Sequence, residues 1–551
     1  MNVVLRHLVV LPIVVPLIAA ALMLFLAEGS RKRRLAVALG SVLIQLAVGC
    51  ALLYLTSDAA PYIWPEGVGV YRIGGWPAPF GIVLVVDQLA AVMVTLNAVV
   101  AVSTLFYSIA RWDRPGQPFH SLFQILTMGL NGAFLTGDLF NLFVFFEVLL
   151  AASYGLMLRG FGAPRVRAGL HYVAVNLTAS FLFLIGVALI YGVTGTLNMA
   201  DLAGRAAALA PSDRALFDAG AAILGIAFLV KAGSWPLNFW LPGTYSLSIA
   251  PVAAAFATMT KVGLYAVLRL GTLLEEHETL GAALLYLGLA TLIAGTVGML
   301  AAKHLARLVS YSVLVSMGIL LAALGLRIEE LTAPVLFYLI VSVLTTSCFF
   351  MLTGMTDRTR VTETPNTQDT GESHQPASRP LYVAYGIKEP SIYSTTDDVG
   401  IAIPAAIAFL GLIFFSCTLL LTGLPPLPGF FAKFALLSTA LDAASTASSA
   451  VPIWIVCAAI VASGFAGLIA LSRIGMRLFW STAARQRPRL LLVEAAPAAA
   501  LVLVCLGLSA AADPVTRYLE SAARSLHEPH TYIRMVLSGE THREQRGEPE
   551  P

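Results

Sequence analysis

Apolar runs of membrane-crossing length recur along this 551-residue chain, near 8–27, 36–55, 81–109, 119–136, 139–158, 168–192, 219–241, 245–270, 279–301, 308–326, 332–354, 401–440, 450–472 and 491–511. About twenty helical residues at ~1.5 Å each cross a hydrocarbon core about 30 Å thick. Lipid offers no water to backbone N–H and C=O groups, so each run must satisfy its own hydrogen bonds as a helix. The sequence therefore specifies an all-α polytopic membrane protein of about 14 transmembrane helices. Only 12% of residues are charged, against about 25% in soluble domains. Net charge is +3, and no basic face interleaved with aromatics could track a nucleic acid.

The first run is followed by Arg31-Lys32-Arg33-Arg34, the reverse of a signal peptide's charged-then-apolar order. It reads as a spanning helix with its C-terminal end in the cytoplasm. Arg111 and Arg114, then Arg159, Arg165 and Arg167, then Lys303, His304 and Arg307, then Arg473, Arg477, Arg485, Arg487 and Arg489 fall on the same side. The opposite loops hold Glu66, the 201–218 segment and Glu275-Glu276-His277-Glu278, which are acidic or mixed. This alternation supports the helix count and places both termini outside. The tail's Arg517, Arg524, Arg534, Arg543 and Arg546 run against that rule.

Cys50, Cys348, Cys417, Cys457 and Cys505 are scattered singly through apolar runs and read as packing residues. No Gly-rich phosphate loop and no His-Glu-x-x-His occurs, so neither a cofactor nor a metal is expected, and the chain reads as a transporter component rather than an enzyme. Residues 357–398, rich in Thr, Ser, Pro and charge, read as a flexible cytoplasmic linker. The tail from Pro514 opens with the amphipathic VTRYLESAARSL and reads as a short surface helix with a frayed end.

Charges inside the runs are the informative exceptions. Glu147 lies in the middle of LFNLFVFFEVLLAASYGLML, about 13 Å from Asp138 along a helix, so near mid-membrane and too short to reach water. Such a charge costs roughly 2.5–3.5 kcal/mol on insertion scales and persists where it faces a protein interior, a hydrated cavity or an opposite charge. Lys231 lies at similar depth in AILGIAFLVKAGSWPLNFWLP, with Pro236 breaking the helix just beyond it. A second broken run, CTLLLTGLPPLPGFFAKFALL, carries Pro425, Pro426, Pro428 and Gly429, with Lys433 following. Lys261, in the run Ala250 to Leu270, adds a third buried cation. Paired Pro-interrupted spans point to two inverted five-helix repeats with the site at midplane. A lone buried lysine can snorkel, and a lone glutamate can merely pin two helices. One Glu and three Lys at depth, two of them beside breaks, read instead as a proton relay, because desolvation disfavours a charged amine and a nearby carboxylate favours it.

At these residues the chain resembles a known family. TGDLFNLFVFFEVLLAASYGL (136–156), LVKAGSWPLNFWLPGTYSLSIAPVAAAFATMTKVGLYAVLR (229–269), KHLARLVSYSVLVSMG (303–318) and GLPPLPGFFAKF (423–434) look like the antiporter-like subunits shared by respiratory complex I and the multisubunit cation/proton antiporters. Within that family the length, the FNLFVFFE wording and the linker before IAIPAAIAFLGL resemble the D-type subunits of the Mrp/Pha antiporters. The resemblance implies that Glu147 pairs with Lys231, that Lys261 passes protons along, and that Lys433 exchanges with one side. The spacing of the runs gives helices 1–3 within 1–118, a first repeat over 119–270, a second over 279–475 that includes the 357–398 linker, and a last helix with tail over 491–551. Other membrane subunits, H+, Na+ or K+ and the lipid bilayer are the implied partners, in a bacterial inner membrane. One departure is Ser316 ahead of Met317-Gly318, where many relatives carry histidine; a relay there needs hydroxyls such as Ser310, Tyr311 and Ser312. The alternative function is a proton-pumping component of a complex I or membrane hydrogenase, with the redox centres in partner subunits.

Overall fold

The computed structural model describes residues 7–26, 30–57, 64–110, 119–160, 162–274, 278–357, 403–445, 449–479 and 490–544. Linker residues 358–398, Arg111, Arg114, Glu275, Glu276, His277, Arg485, Arg487, Arg489 and Arg546 lie outside them. The helices are α1 (Leu11–Phe25), α2 (Arg31–Leu55), α3 (Gln88–Ile109), α4 (Phe119–Leu135), α5 (Leu139–Met157), α6 (Ala163–Thr194), α7 (Met199–Ala207), α8 (Pro211–Ala232), α9 (Trp240–Leu247) and α10 (Ala250–Leu273). The second half continues with α11 (Glu278–Ala301), α12 (Leu305–Gly325), α13 (Thr332–Asp357), α14 (Ile403–Thr422), α15 (Pro428–Ala444), α16 (Val451–Phe479), α17 (Leu492–Ala510), α18 (Ala512–His527) and α19 (His530–Glu544).

Among the described residues 12 helices are long and apolar enough to cross a membrane. The 15-residue α1 and the 17-residue α4 occupy the other two expected positions. Two expectations need correction. The run 81–109 is not one helix, because β2 (Val83–Val86) pairs antiparallel with β1 (Gly69–Arg72) before Asp87 caps α3, its carboxylate accepting from Ala90 N at 2.9 Å. The tail holds two helices, and α18 buries Leu519, Ala522, Ala523 and Leu526; the apolar side of its amphipathic pattern thus packs on protein. Four of the cysteines are buried as expected, but Cys50 is exposed on α2.

Chain breaks explain much of the buried polarity. Pro16 inside α1 has no N–H for the carbonyl of Pro12, four residues back. Asn131 of α4 donates to that carbonyl at 2.8 Å and to Gln45 Oε1 at 3.1 Å. Ser41 and Gln124 extend this neutral network across α2 and α4, so backbone and amide groups at depth are satisfied without water.

Each of the two repeats holds one broken helix. In the first, α8 ends at Gly233 (φ 75°), with Ser234 N donating to Leu229 O at 2.9 Å. In the second, α14 is followed by Gly423 (φ 80°), with Leu424 N donating to Leu419 O at 3.0 Å. Both are glycine-terminated helix ends closed by a six-to-one hydrogen bond, and both continue to a proline three residues on, Pro236 and Pro426. The same local chemistry therefore interrupts both spans at corresponding points.

α11 and α12 approach through glycines. A Cβ on Gly288 would lie 2.3 Å from Ala322 N, on Gly318 2.4 Å from Leu292 N, and on Gly325 2.3 Å from Leu285 N. Each obstacle is backbone, which cannot swing away; small residues at such seams let helices meet in lipid. Gly288→Val is expected to force the pair apart and cost about 1–3 kcal/mol or more, read as a lowered unfolding temperature in detergent, with a wild-type melting curve as the contrary result.

Candidate functional site

α10 is the central helix, buried along its whole apolar window. A helix buried on every side presents all its side chains to protein, so Lys261 and Arg269 must find partners there. Lys231 at 5%, Lys261 at 1% and Lys433 at 7% exposure are too buried to snorkel.

Glu147 sits on α5, whose first turn is capped by Asp138 accepting from Asn141 N at 2.8 Å. The carboxylate does not touch Lys231 directly. Ser180 of α6 lies between them, donating its hydroxyl to Glu147 Oε1 and accepting from Lys231 Nζ at 3.2 Å. The amine also lies 4.9 Å from the centre of the Phe146 ring, which supports a cation by its negative face. The serine hydroxyl can both donate and accept, so the three groups form a continuous hydrogen-bonded chain across three helices.

Lys231 is the penultimate residue of α8, where carbonyls lack intrahelical donors and the helix dipole is negative. In the second repeat, Leu421 stands two residues before Gly423 as Lys231 stands two before Gly233. Lys433, on the far side of the break in α15, donates from Nζ to Leu421 O at 2.9 Å and Thr422 O at 3.1 Å. Both repeats therefore place an ammonium at the C-terminal end of a broken helix, one from the helix itself and one from across the gap.

Lys261 donates to Ser316 Oγ at 2.9 Å and to Met317 Sδ at 3.1 Å. Ser316, noted in the sequence as a departure, is thus the residue that the structure brings to this lysine. The hydroxyls of Ser310 and Ser312 donate to their own helix, at Ala306 O and Val309 O, and the Tyr311 ring lies against Gly298. Lys433 shares no hydrogen-bond partner with Lys261. Pro236, Pro425 and Pro426 lie in the breaks themselves.

Sequence reasoning passed over three groups. Ser180 follows Tyr172 and Asn176 at four-residue spacing on the buried side of α6, a polar stripe in an apolar run that could have marked it. Arg269 follows Lys261 and Tyr265 at the same spacing on α10. It makes a two-pronged ion pair with Asp87, Nη1 to Oδ2 at 2.6 Å and Nη2 to Oδ1 at 2.8 Å. Its guanidinium lies 5.1 Å from the Tyr532 ring of α19, and Tyr265 donates to Phe134 O at 2.6 Å. Asp87 was hidden in an apolar run as a helix cap.

Among the described residues no group of three or more His, Cys, Asp or Glu could hold a metal ion. The arrangement links one amine, Lys231, to the Glu147 carboxylate through the Ser180 hydroxyl, while Lys261 and Lys433 stand on separate partners.

Comparisons with known proteins identify relatives over nearly the whole chain. Residues 136–376 match the family described as "NADH:quinone oxidoreductase/Mrp antiporter, TM". The chain is 47% identical to the D-type subunit of a probable K(+)/H(+) antiporter of Rhizobium meliloti, over 97% of this chain and 98% of that one. It is 31% identical to the D-type subunit of the Na(+)/H(+) antiporter of Bacillus subtilis, over 97% and 99%. Among solved structures, a chain of the Mrp complex from Dietzia sp. matches with a TM-score of 0.78 at 25% identity, covering 97% of this chain and 99% of that one. A chain of respiratory complex I from Thermus thermophilus matches in fold, with a TM-score of 0.72 at 21% identity over 98% and 100%.

Proposed function

We propose that this chain, which belongs to the D-type subunit family of the multisubunit cation/proton antiporters, carries protons through the membrane for a complex that exchanges them against Na+ or K+. The observation that carries this reading is the Glu147–Ser180–Lys231 chain, an acid and an amine at mid-membrane depth joined by a hydroxyl. An ammonium near Glu147 is favoured and one moved away from it is not, so any rearrangement that lengthens the chain drives a proton off Lys231. Lys261 with Ser316 stands on the neighbouring central helix as the next amine. Lys433, held on the open carbonyls of α14, stands in the second repeat as the terminal one. The relatives are named as K(+)/H(+) and Na(+)/H(+) antiporter subunits, so the cation class is monovalent, and the bacterial relatives suggest the inner membrane of a bacterium.

The test uses everted vesicles containing the whole complex. On this reading, adding Na+ or K+ collapses a preformed pH gradient with the wild-type chain and fails to do so with Lys231→Ala. A wild type that ignores both cations but builds a gradient on a reduced donor would overturn the antiporter reading in favour of a redox-driven pump.

A further inference from the structure

The helix end that carries Lys231 is tied to α11. Gly233 N returns to Val230 O at 3.0 Å and Ser234 N to Leu229 O at 2.9 Å, which closes α8 on itself. Pro236 has no N–H to give, so the one backbone donor between that closure and the proline is Trp235 N. It leaves its own helix and donates to Thr291 Oγ1 of α11 at 2.9 Å. The Ser234 hydroxyl lies 3.3 Å from the same oxygen. Thr291 is fully buried and Ser234 nearly so.

A threonine hydroxyl has one proton and two lone pairs. Thr291 gives its proton to Leu287 O, four residues back on its own helix, at 2.6 Å. The lone pairs are left for Trp235 N–H and for Ser234, so the Ser234 hydroxyl is the donor in that contact. Each capacity of this oxygen is used, and two of the three bonds reach across to the end of α8.

Thr291 also stands where α11 cannot move by itself. It lies between Gly288 and Gly295, and a Cβ on Gly295 would lie 2.8 Å from Val315 N, as one on Gly288 would strike Ala322 N. The two helices meet backbone to backbone on either side of Thr291, so the pair α11–α12 moves as one piece. From α12 the pair presents Ser316 to the Lys261 amine, and from α11 it presents Thr291 to the end of the Lys231 helix. That last turn rests on α10 as well, where a Cβ on Gly263 would lie 2.6 Å from Phe228 O and 2.9 Å from Ala232 N.

We propose, on the proton-relay reading of the Glu147–Ser180–Lys231 chain, that Thr291 is a positioning residue that fixes the end of α8 to the α11–α12 pair. A shift of the pair then changes the reach of Lys231 to Ser180 and that of Lys261 to Ser316 in one movement. Thr291 touches no group of the relay. It acts through Trp235 N, four residues beyond Lys231, and without its hydroxyl the pair shifts and the Lys231 turn does not follow.

The test is cation-dependent proton movement in everted vesicles containing the whole complex, with complex content checked by purification. Thr291→Val keeps the shape and removes the acceptor, and should lower the maximal rate about tenfold, the scale of one buried hydrogen bond, with the cation concentration at half-maximal rate unchanged. Thr291→Ser returns the hydroxyl and should restore most of the rate. Combined with Ser180→Ala, Thr291→Val should be no slower than the slower of the two single variants, because with the Ser180 hydroxyl gone there is no reach left to set. A residue that only supports the fold would instead multiply the two losses. Should Thr291→Val fail to assemble, Thr291→Cys, of similar size and with a weak acceptor, is read in the same way. A wild-type rate in Thr291→Val, a Thr291→Ser chain as slow as Thr291→Val, or fully multiplied losses would overturn the positioning role and leave the relay standing. Full exchange in Ser180→Ala would also overturn it, whereas full exchange in Glu147→Gln would remove the relay itself.

Discussion

Glu147→Gln is expected to abolish cation-dependent proton movement while the protein still assembles. The amide has the shape of the carboxylate and can still meet the Ser180 hydroxyl, so packing around α5 and α6 is unchanged. What disappears is the negative charge that favours an ammonium at Lys231, relayed through Ser180 over the bond of 3.2 Å. Each tenfold loss of rate corresponds to ~1.4 kcal/mol, and charge-assisted hydrogen bonds contribute about 1.5–3 kcal/mol, so the loss should be tenfold to a hundredfold or greater. Ser180→Ala gives a graded companion, since it removes the bridge and keeps both charges. Its exchange rate should fall between wild type and Glu147→Gln. The measurement is gradient collapse in everted vesicles, with complex content checked by purification. Full exchange in Glu147→Gln would rule out the relay.

Arg269→Met is expected to have the largest effect on stability. The guanidinium and the Asp87 carboxylate are both nearly inaccessible, at 7% and 6% side-chain exposure, and bind each other through two hydrogen bonds. Removing one partner leaves the other charge buried without compensation, which costs about 3–5 kcal/mol. The loss should reach further than the pair. Arg269 also donates to the Tyr265 hydroxyl at 3.3 Å and lies against the ring of Tyr532, so α19 should become the first segment open to proteolysis. The double variant Asp87→Asn with Arg269→Met removes the stranded charge and should recover much of the stability, because a neutral buried pair carries little penalty. Melting curves in detergent decide this; an Arg269→Met chain as stable as wild type would show that the pair contributes nothing.

Class, helix count and both helix breaks were legible because lipid leaves so few choices. A run such as Leu139–Met157 has no alternative to a helix, and Gly233 with Pro236 or Gly423 with Pro426 can only end one. The charges within the spans were legible for the same reason, since Glu147, Lys231, Lys261 and Lys433 stand out against apolar neighbours. Their partners were not. Ser180 is an ordinary small polar residue in a membrane helix, common enough that its type says nothing, and Ser316 stood out in the sequence but not as the partner of Lys261; each becomes special through the side chain that reaches it from another helix. Asp87 was missed because strand β2 and α3 together look like one apolar run with the aspartate inside it.

By itself the sequence determined that the chain spans the membrane about fourteen times, where two spans are interrupted, and which charges must be sheltered. Those are local properties, set by the transfer cost of each residue and the hydrogen bonding of its own backbone. Only the tertiary structure decided that a serine stands between Glu147 and Lys231, that Ser316 receives Lys261, and that Lys433 reaches back to the helix end equivalent to the one carrying Lys231. These depend on which helix faces meet, and in lipid that is chosen by close packing of small residues and by polar pairing across helices rather than by hydrophobicity, which the runs themselves share almost equally.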